Sequence, residues 1–243
     1  MNSEERLKKF IENKKIIFVG PARIIKDKNL GKWIDDFDIV VRTNGAINLL
    51  DNENYKKDYG SRCDILCVNV QFHRETKMNL PLWKEKYGLK FFGMKTSPVI
   101  MKEYNKIVPT FTLSSSISEV SSKVQGALYG PIVMHHLLKF NPKEMWFTGL
   151  DFYYTKPDVF IPNDYREYFP GYLPKVIEEK ANTANIGRID PHDQYSNTKF
   201  ISELVNSGKV QTHDFIKEIM NTIINNREYY TYDAKVKRVK EGK

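Results

Sequence analysis

The sequence predicts an α/β fold in which a mostly parallel sheet is covered by flanking helices. Largely apolar runs of strand length occur at residues 16–19, 38–42 and 65–68. Such runs are typical of strands buried on both faces of a parallel sheet. A helical segment at 30–34 joins the first two runs, which is the rhythm of a βαβ unit. The length of 243 residues and the 41% hydrophobic content suffice for one buried core.

Each further element can be placed in chain order. The predicted elements are a helix at 4–13 with Ser3 as its N-cap, a strand at 89–92, a hydroxyl-rich loop at 114–122, a helix at 124–139, a strand at 144–148, and helices at 194–206 and 213–226. Pro142 ends the central helix because proline cannot continue one. Residues 151–191 are rich in proline and tyrosine and are predicted to be irregular, and long irregular segments in compact domains are usually functional.

The charge distribution separates the body of the chain from its ends. We assign residues 1–226 to one domain and 227–243 to a basic tail. The net charge of +8 fits a nucleic acid, an anionic membrane surface or an anionic small substrate as partner. Residues 1–30, 84–106 and 227–243 each carry a net charge of +3 or +4. This placement favours solubility or a peripheral membrane contact through the basic ends over a polyanionic substrate.

Cysteine usage and hydropathy bear on the compartment. Cys63 and Cys67 are the only cysteines, and in one straight strand they would lie about 13 Å apart, too far for a disulfide. A reducing compartment is therefore expected. The N-terminal residues lack the apolar run of a signal peptide, and no apolar stretch approaches the roughly 20 residues that span a bilayer. We expect a cytoplasmic protein without a transmembrane segment.

Residues that follow the predicted strands are the first candidates for a ligand site, because ligands of open α/β sheets bind at the carboxyl ends of the strands. Gly20, Asn44 and the turn at 149–151 occupy these positions. Gly20 would let a ligand approach the backbone, but residues 20–23 match neither a dinucleotide-binding glycine loop nor a Walker loop. A tight turn is an equal alternative for Gly20, and Asn44 with Gly45 is by itself a turn dipeptide.

Several separated motif blocks indicate which class of protein has a ligand site at these strand ends. VG at 19–20, LGKWID at 30–35, DIVVRTNGA at 38–46 and GSR at 60–62 resemble, in order and spacing, the long sialylmotif of glycosyltransferase family 29, the sialyltransferases. Gly130 with its helix and FTGLDFY at 147–153 resemble the short sialylmotif. His192, within PHD at 191–193, is similar in placement to the final histidine motif of the family. The resemblance covers about residues 16 to 205.

This resemblance implies a soluble transferase of the bacterial or viral type, with a Rossmann-like sheet of the sialyltransferase GT-A-variant kind. It implies inverting transfer of a sugar acid from a CMP-activated donor to a hydroxyl of a glycan acceptor. His192 would be the base, since an imidazole takes up a proton near neutral pH, and Asp193 or Asp190 would orient it. The residues predicted to contact the donor are Gly20, Pro21, Ala22, Asn44, Gly130, Gly149, Asp151 and Tyr153, and Tyr154, Tyr165 and Tyr172 are further candidates for phosphate or sugar contacts.

The chain departs from the family pattern at three places. Pro21-Ala22-Arg23 replaces Asn-Ser-Gly after the first strand, Tyr129 stands where serine or threonine precedes the short-motif glycine, and Asn197 replaces a glutamate. These departures affect the donor sugar and the activity more than the fold.

No metal or cofactor is expected. Asp36 and Asp38 superficially match the DxD of metal-dependent nucleotide-sugar transferases, but they precede a strand inside the motif string, and no other cluster has ligand spacing. The remaining histidines have mostly structural interpretations: His213 opens a helix, His135 and His136 lie within the central helix, and His73 is an outside candidate for the site.

Two alternative functions remain open. A transferase of the same type would use another nucleotide sugar, such as a CMP-activated keto-deoxy sugar. A non-catalytic relative would bind a nucleotide or a glycan without turnover. Nucleic acid is not expected as a partner, since RRM, KH, zinc-finger and helix-turn-helix signatures are absent from the sequence.

Overall fold

Six strands form one parallel sheet in a computed structural model that describes residues 2–75, 78–95, 98–152, 154, 192–234 and 237. The strands are β1 (Lys15–Val19), β2 (Ile39–Thr43), β3 (Ile65–Val68), β4 (Phe91–Met94), β5 (Thr110–Thr112) and β6 (Glu144–Thr148). The helices are α1 (Ser3–Ile11), α2 (Gly31–Asp35), α3 (Glu53–Tyr59), α4 (Val70–Glu75), α5 (Leu80–Tyr87), α6 (Pro98–Tyr104), α7 (Ser114–Ser121), α8 (Tyr129–Leu138), α9 (Gln194–Asn206), α10 (Asp214–Asn225) and α11 (Arg227–Tyr230), and two 3₁₀ segments span Arg23–Ile25 and Asn44–Asp51. The predicted α/β fold is confirmed.

The strand order, β5-β4-β3-β2-β1-β6, reverses at β1. The first five strands follow one another outward, and the chain then returns to pair β6 with the free side of β1. Helices cover both faces of the sheet, and alternate strand residues are buried on each side. Ile16 and Phe18 belong to the cluster that includes α8, α9 and α10, whereas Ile17 and Val40 belong to the cluster on the opposite face. Burial on both faces explains the continuous apolar runs in the sequence.

Backbone hydrogen bonds hold β1 and β6 together just beyond their carboxyl ends, where each strand is followed by a glycine. The Gly20 N–H donates to the Thr148 carbonyl at 2.9 Å, and the Ala22 N–H donates to the Gly149 carbonyl at 2.8 Å. A Cβ on Gly20 would lie 2.2 Å from the Gly149 oxygen, and a Cβ on Gly149 would lie 2.3 Å from the Gly20 oxygen. Neither position has room for a side chain.

Most predicted elements are confirmed within one or two residues of their ends. Two predictions are wrong. The predicted helix at 124–139 begins only at Tyr129, because Gly126 adopts a left-handed φ of 57° that interrupts it. The predicted loop at 114–122 is helix α7, where Thr112 Oγ1 accepts from the Ser114 N–H at 3.2 Å and Val120 is buried.

Smaller differences concern ends and additions. Asn2, rather than Ser3, caps α1, since its side-chain oxygen accepts from the Glu5 N–H at 2.8 Å. Cys63 precedes β3 instead of lying in it, and both cysteines are buried and unbridged. The short strand β5 and the helices α3 to α6 were not predicted.

The packed structure continues past residue 226, where the basic tail was predicted to begin. α11 follows directly, and Tyr230 is buried in the same cluster as α9 and α10. The Tyr232 N–H donates to Asp193 Oδ2 at 2.6 Å, so these residues are tied to the start of α9. Over the described ranges, no helix combines the length and apolar character needed to cross a membrane.

Substitution of Gly149 tests the contact between the two strand exits. Gly149→Ala would place a Cβ against the Gly20 backbone and would also adopt an unfavourable φ of 64°. Gly208→Ala is the matched control, since Gly208 has a similar φ of 74° and nothing within 4 Å of its Cβ position. We expect the free energy of unfolding in urea to fall by about 1–3 kcal/mol more for Gly149→Ala than for the control. Equal losses in the two variants would contradict the contact.

Acid should destabilise the fold through His136. The imidazole is buried, lies 3.0 Å from Ser116 Oγ through Nδ1 and stacks on Phe111. Burial lowers the pKa of His136 to about 4, whereas an exposed histidine titrates near 6.5. Between these values the unfolded chain binds the proton more readily, so stability is full above about pH 6.5 and is lost as the pH falls toward 4.

The loss assigned to His136 is about 2 kcal/mol at pH 5 relative to pH 8. Urea unfolding at both pH values should give a smaller pH dependence for His136→Gln than for the wild type. His135→Gln is the neighbouring control, because His135 is more exposed and pairs with Glu119. If His136→Gln loses as much stability on acidification as the wild type, the assignment to His136 is wrong.

Candidate active site

The candidate site lies at the carboxyl ends of β1 and β6, where the strand order reverses. Gly20 and Gly149 form its floor through their mutual backbone contact. Ala22 is buried, and its carbonyl accepts from the Tyr59 hydroxyl at 3.0 Å. Pro21, which stands at the asparagine of the family pattern, offers no N–H for a ligand. The close backbone contact explains why positions 20 and 149 are both glycine. The predicted contacts of Gly20 and Gly149 with the sugar donor remain a prediction.

Gly130 brings α8 onto this floor. A Cβ at Gly130 would lie 3.1 Å from Phe18 Cζ and 3.4 Å from Leu150 Cδ2. Glycine therefore allows the first turn of α8 to pack closely over β1 and the turn after β6. The predicted contact of Gly130 with the donor remains a prediction.

Asn44 connects the ends of β2 and β3. Its backbone has a left-handed φ of 47°, and its Oδ1 accepts from the Asn69 N–H at 2.8 Å. Side-chain Nδ2 of Asn44 makes no hydrogen bond within the described part of the chain, so it is available as a donor to a ligand. Asn69 was not predicted, although its place directly after β3 is the same signal that singled out Asn44.

Tyr129 spans the site where the family has a smaller hydroxyl residue. Its hydroxyl donates to the Val68 carbonyl at 2.6 Å, which joins the start of α8 to the end of β3. Burial raises the pKa of the Tyr129 phenol well above its usual range. The Tyr129 phenol therefore stays neutral, and its O–H donates to the Val68 backbone carbonyl.

His192 is held by a backbone carbonyl. Its Nδ1 lies 2.6 Å from the Gly126 oxygen. Because a carbonyl can only accept, Nδ1 carries the proton, and Nε2 is the nitrogen with a lone pair in the neutral ring. This tautomer is the one a general base requires at Nε2.

Asp193 has a different role from the one predicted for it. Its Oδ1 accepts from the Ser196 N–H at 2.6 Å as the N-cap of α9, and its Oδ2 accepts from the Tyr232 N–H at 2.6 Å. Both oxygens serve backbone groups, so Asp193 fixes the start of α9 and the segment after α11. The Gly126 carbonyl contacts the His192 ring, whereas the two Asp193 oxygens accept from backbone N–H groups.

Asn197 is buried in the middle of this arrangement. Its Oδ1 accepts from the Leu128 N–H at 2.7 Å, and its Nδ2 donates to the Asp193 carbonyl at 2.7 Å and to the Gly126 carbonyl at 3.2 Å. The residue that departs from the family pattern thus holds the loop that carries Gly126. The departure at Asn197 is visible in the sequence, whereas its structural role depends on contacts with residues about 70 positions earlier in the chain.

Two arginines of the long-motif blocks join those blocks to one another. Buried Arg42 donates to the carbonyls of Arg62 at 2.8 Å and Tyr59 at 2.6 Å. Arg62 donates to the carbonyls of Asp35 at 3.0 Å and Phe37 at 2.8 Å and forms an ion pair with Asp64. Both arginines therefore have a structural role.

The structure gives fewer contacts, or none, for the other predicted site residues. Asp151 is buried, and its carbonyl accepts from the Tyr154 N–H at 2.9 Å. Predictions that fall outside the described residues are those for Tyr153, Tyr165, Tyr172 and Asp190, together with residues 155–191 of the irregular segment predicted at 151–191.

The remaining candidates are structural. His73 shares a 2.8 Å hydrogen bond with Tyr104, and His213 stacks on Phe215. Asp38 accepts from the Lys15 N–H at 2.8 Å. No group of three His, Cys, Asp or Glu side chains suited to a metal ion occurs among the residues for which the structure gives positions.

Comparison with known proteins identifies the family. The model of "Glycosyltransferase family 29 (sialyltransferase)" matches residues 5–125, about half of the chain. A search of curated proteins finds no match.

The chain is also similar to solved structures. A mammalian sialyltransferase in complex with Gal-beta-1-3GalNAc-ortho-nitrophenol is 14% identical with a TM-score of 0.50, over 85% of this chain and 71% of that one. An alpha-2,3-sialyltransferase from Campylobacter jejuni is 15% identical with a TM-score of 0.49, over 83% of this chain and 74% of that one. The first likeness shows a shared fold, and the match of the family model assigns the chain to glycosyltransferase family 29, the sialyltransferases.

Proposed function

We propose that this glycosyltransferase transfers a sugar acid from a CMP-activated donor to a hydroxyl of a glycan acceptor, with His192 as the general base. The observation that carries the proposal is the hydrogen bond from His192 Nδ1 to the Gly126 carbonyl at 2.6 Å. It fixes the tautomer in which Nε2 accepts a proton. Asp193 and Asn197 are positioning residues, since they hold the segments on which His192 and Gly126 lie.

The position of His192 relative to the strand ends supports this role. Gln194, two residues later, donates from Nε2 to the Phe152 carbonyl at 2.8 Å, directly after the turn that follows β6. Gly126 belongs to the loop that leads into α8, and the first turn of α8 packs over Phe18 of β1. The base is therefore tied to both strands that meet at the reversal point.

The reaction is a single displacement with inversion. The acceptor oxygen forms a bond to the anomeric carbon while the bond from that carbon to the phosphate oxygen of CMP breaks, and the phosphate keeps the electron pair. The acceptor proton passes to His192 Nε2 and then to solvent. Because the phosphate is a good leaving group, the site has to stabilise its developing negative charge more than to protonate it.

Hydrogen-bond donors at the strand ends suit the phosphate and the nucleotide of the CMP-activated sugar. α8 has ten residues, and its N-terminal end, beside the strand ends, favours a negative charge. Asn44 supplies a side-chain amide donor at the end of β2. We assign the donor to this region, with Gly20, Pro21, Ala22, Gly130, Gly149, Asp151 and Tyr153 as the remaining candidate contacts.

His192→Asn tests the base. Asparagine can keep a side-chain N–H near the position of Nδ1 for the Gly126 carbonyl, but it cannot accept a proton at neutral pH. We expect kcat for transfer from CMP-sialic acid to fall by about 10²–10⁴-fold. The Kd for CMP, measured by calorimetry, should stay within about twofold, because the donor site is elsewhere. His135→Gln, a histidine outside the site, should retain the wild-type kcat.

The outcomes of these binding and turnover measurements test the donor assignment and the base assignment separately. Binding of UDP or GDP in place of CMP would overturn the donor assignment and favour a different nucleotide sugar. CMP binding with an unchanged kcat in His192→Asn would show that another group is the base. CMP binding without any turnover in the wild type, with either hydrolysis or transfer as the readout, would favour the non-catalytic relative.

A further inference from the structure

The Tyr129 hydroxyl bridges the carboxyl ends of β3 and β4. It donates to the Val68 carbonyl at 2.6 Å, and the backbone of Lys95 hydrogen-bonds the same oxygen. Val68 is the last residue of β3, Lys95 directly follows β4, and Tyr129 is the first residue of α8. One phenol therefore fixes the start of α8 against both strand ends.

The peptide unit between Val68 and Asn69 links Tyr129 to Asn44. The carbonyl of this unit accepts from the Tyr129 hydroxyl, and its N–H donates to Asn44 Oδ1 at 2.8 Å. A peptide unit is planar and rigid, and in the trans form its C=O and N–H point in opposite directions. The hydroxyl and the carboxamide thus hold one rigid plane from its two sides.

The same peptide unit determines how the Asn44 amide is turned. An N–H can only donate, so Oδ1 of Asn44 lies against Asn69 and Nδ2 is directed away from it. The reversed amide would place two hydrogen-bond donors against each other. Nδ2 is the group of Asn44 that the proposed function assigns to the CMP-activated donor, and its direction therefore depends on the Asn69 N–H.

Asn69 is held by further hydrogen bonds of its own. Its Oδ1 accepts from the Phe72 N–H at 2.6 Å, which caps the first turn of α4, and its carbonyl accepts from the His73 N–H at 3.1 Å. Hydrogen bonds in a chain polarise one another, so a hydroxyl on the Val68 carbonyl also makes the Asn69 N–H a stronger donor. Loss of the Tyr129 hydroxyl would therefore weaken the contact that orients Asn44.

We propose that Tyr129 is a positioning residue for the sugar donor, which acts on Asn44 through the peptide unit between Val68 and Asn69. The inference rests on the proposed function, because it takes Asn44 Nδ2 as a contact of the CMP-activated donor. It gives a role to a residue that departs from the family pattern. The hydroxyl of Tyr129 is bonded to the backbone and acts on the donor only through the amide that it orients.

A double-mutant cycle on CMP binding, measured by calorimetry, tests this connection. Asn44→Gly removes the amide and keeps the left-handed backbone without strain, and we expect it to raise the Kd for CMP about tenfold. Tyr129→Phe keeps the ring and should raise the Kd about fivefold in the wild-type chain but less than about 1.5-fold in the Asn44→Gly chain. Equal increases in the two chains, or an unchanged Kd in Tyr129→Phe, would overturn the inference.

Tyr87→Phe is the matched control. Tyr87 is also buried, and its hydroxyl donates to Asp51. It lies at the opposite edge of the sheet, since its carbonyl accepts from the Cys63 N–H shortly before β3. The variant loses one tyrosine hydroxyl bond, as Tyr129→Phe does, but the Kd for CMP should stay within about twofold of the wild-type value.

NMR of the ligand-free protein separates this inference from the proposed function. The Asn69 backbone amide and the Asn44 side-chain amide signals should shift in Tyr129→Phe and not in Tyr87→Phe. Absence of these shifts would overturn the inference whether or not CMP binds. Failure of CMP to bind the wild type, with the shifts present, would count against the donor assignment alone. CMP binding that Asn44→Gly leaves unchanged would overturn the inference while the proposed function stands.

Discussion

The backbone contact between Gly20 and Gly149 determines where the rest of the site can lie. Parallel neighbours in a sheet are normally free to separate once their ladder ends, but here the Gly20 and Ala22 N–H groups continue hydrogen bonding to the other strand. The two exits therefore stay in contact at the point where the strand order reverses. α8 can settle over both of them because Gly130 presents no side chain to Phe18. Gly20, Gly149 and Gly130 thus bring the N-terminus of α8 to the carboxyl ends of β1 and β6.

A second constraint comes from buried charge. Burial lowers the pKa of Arg42 to about 10, which still leaves the guanidinium protonated at neutral pH. An unpaired buried cation would be costly, but carbonyls of Tyr59 and Arg62 accept from it. Arg62 in turn caps the backbone between α2 and β2. The arginines of the long motif therefore stabilise the connection between blocks, whereas Asn44 of the same motif reaches the strand ends.

The sheet could be predicted from the sequence because buried parallel strands leave continuous apolar runs, as at β1, β3 and β6. The start of α8 could not, since Gly126 and its left-handed φ depend on contacts with Asn197 and His192 that lie far along the chain. For the same reason the motif pattern singled out His192 but not the carbonyl that orients it.

The orientation of the proposed base depends on contacts between distant parts of the chain. The Gly126 carbonyl fixes which nitrogen of His192 carries the proton, because a carbonyl oxygen can only accept. Asn197 donates to that carbonyl and to the Asp193 carbonyl, so one buried amide joins the two segments. Asp193 in turn fixes the start of α9 and the segment after α11. A change in either side chain is therefore transmitted to the imidazole through the backbone.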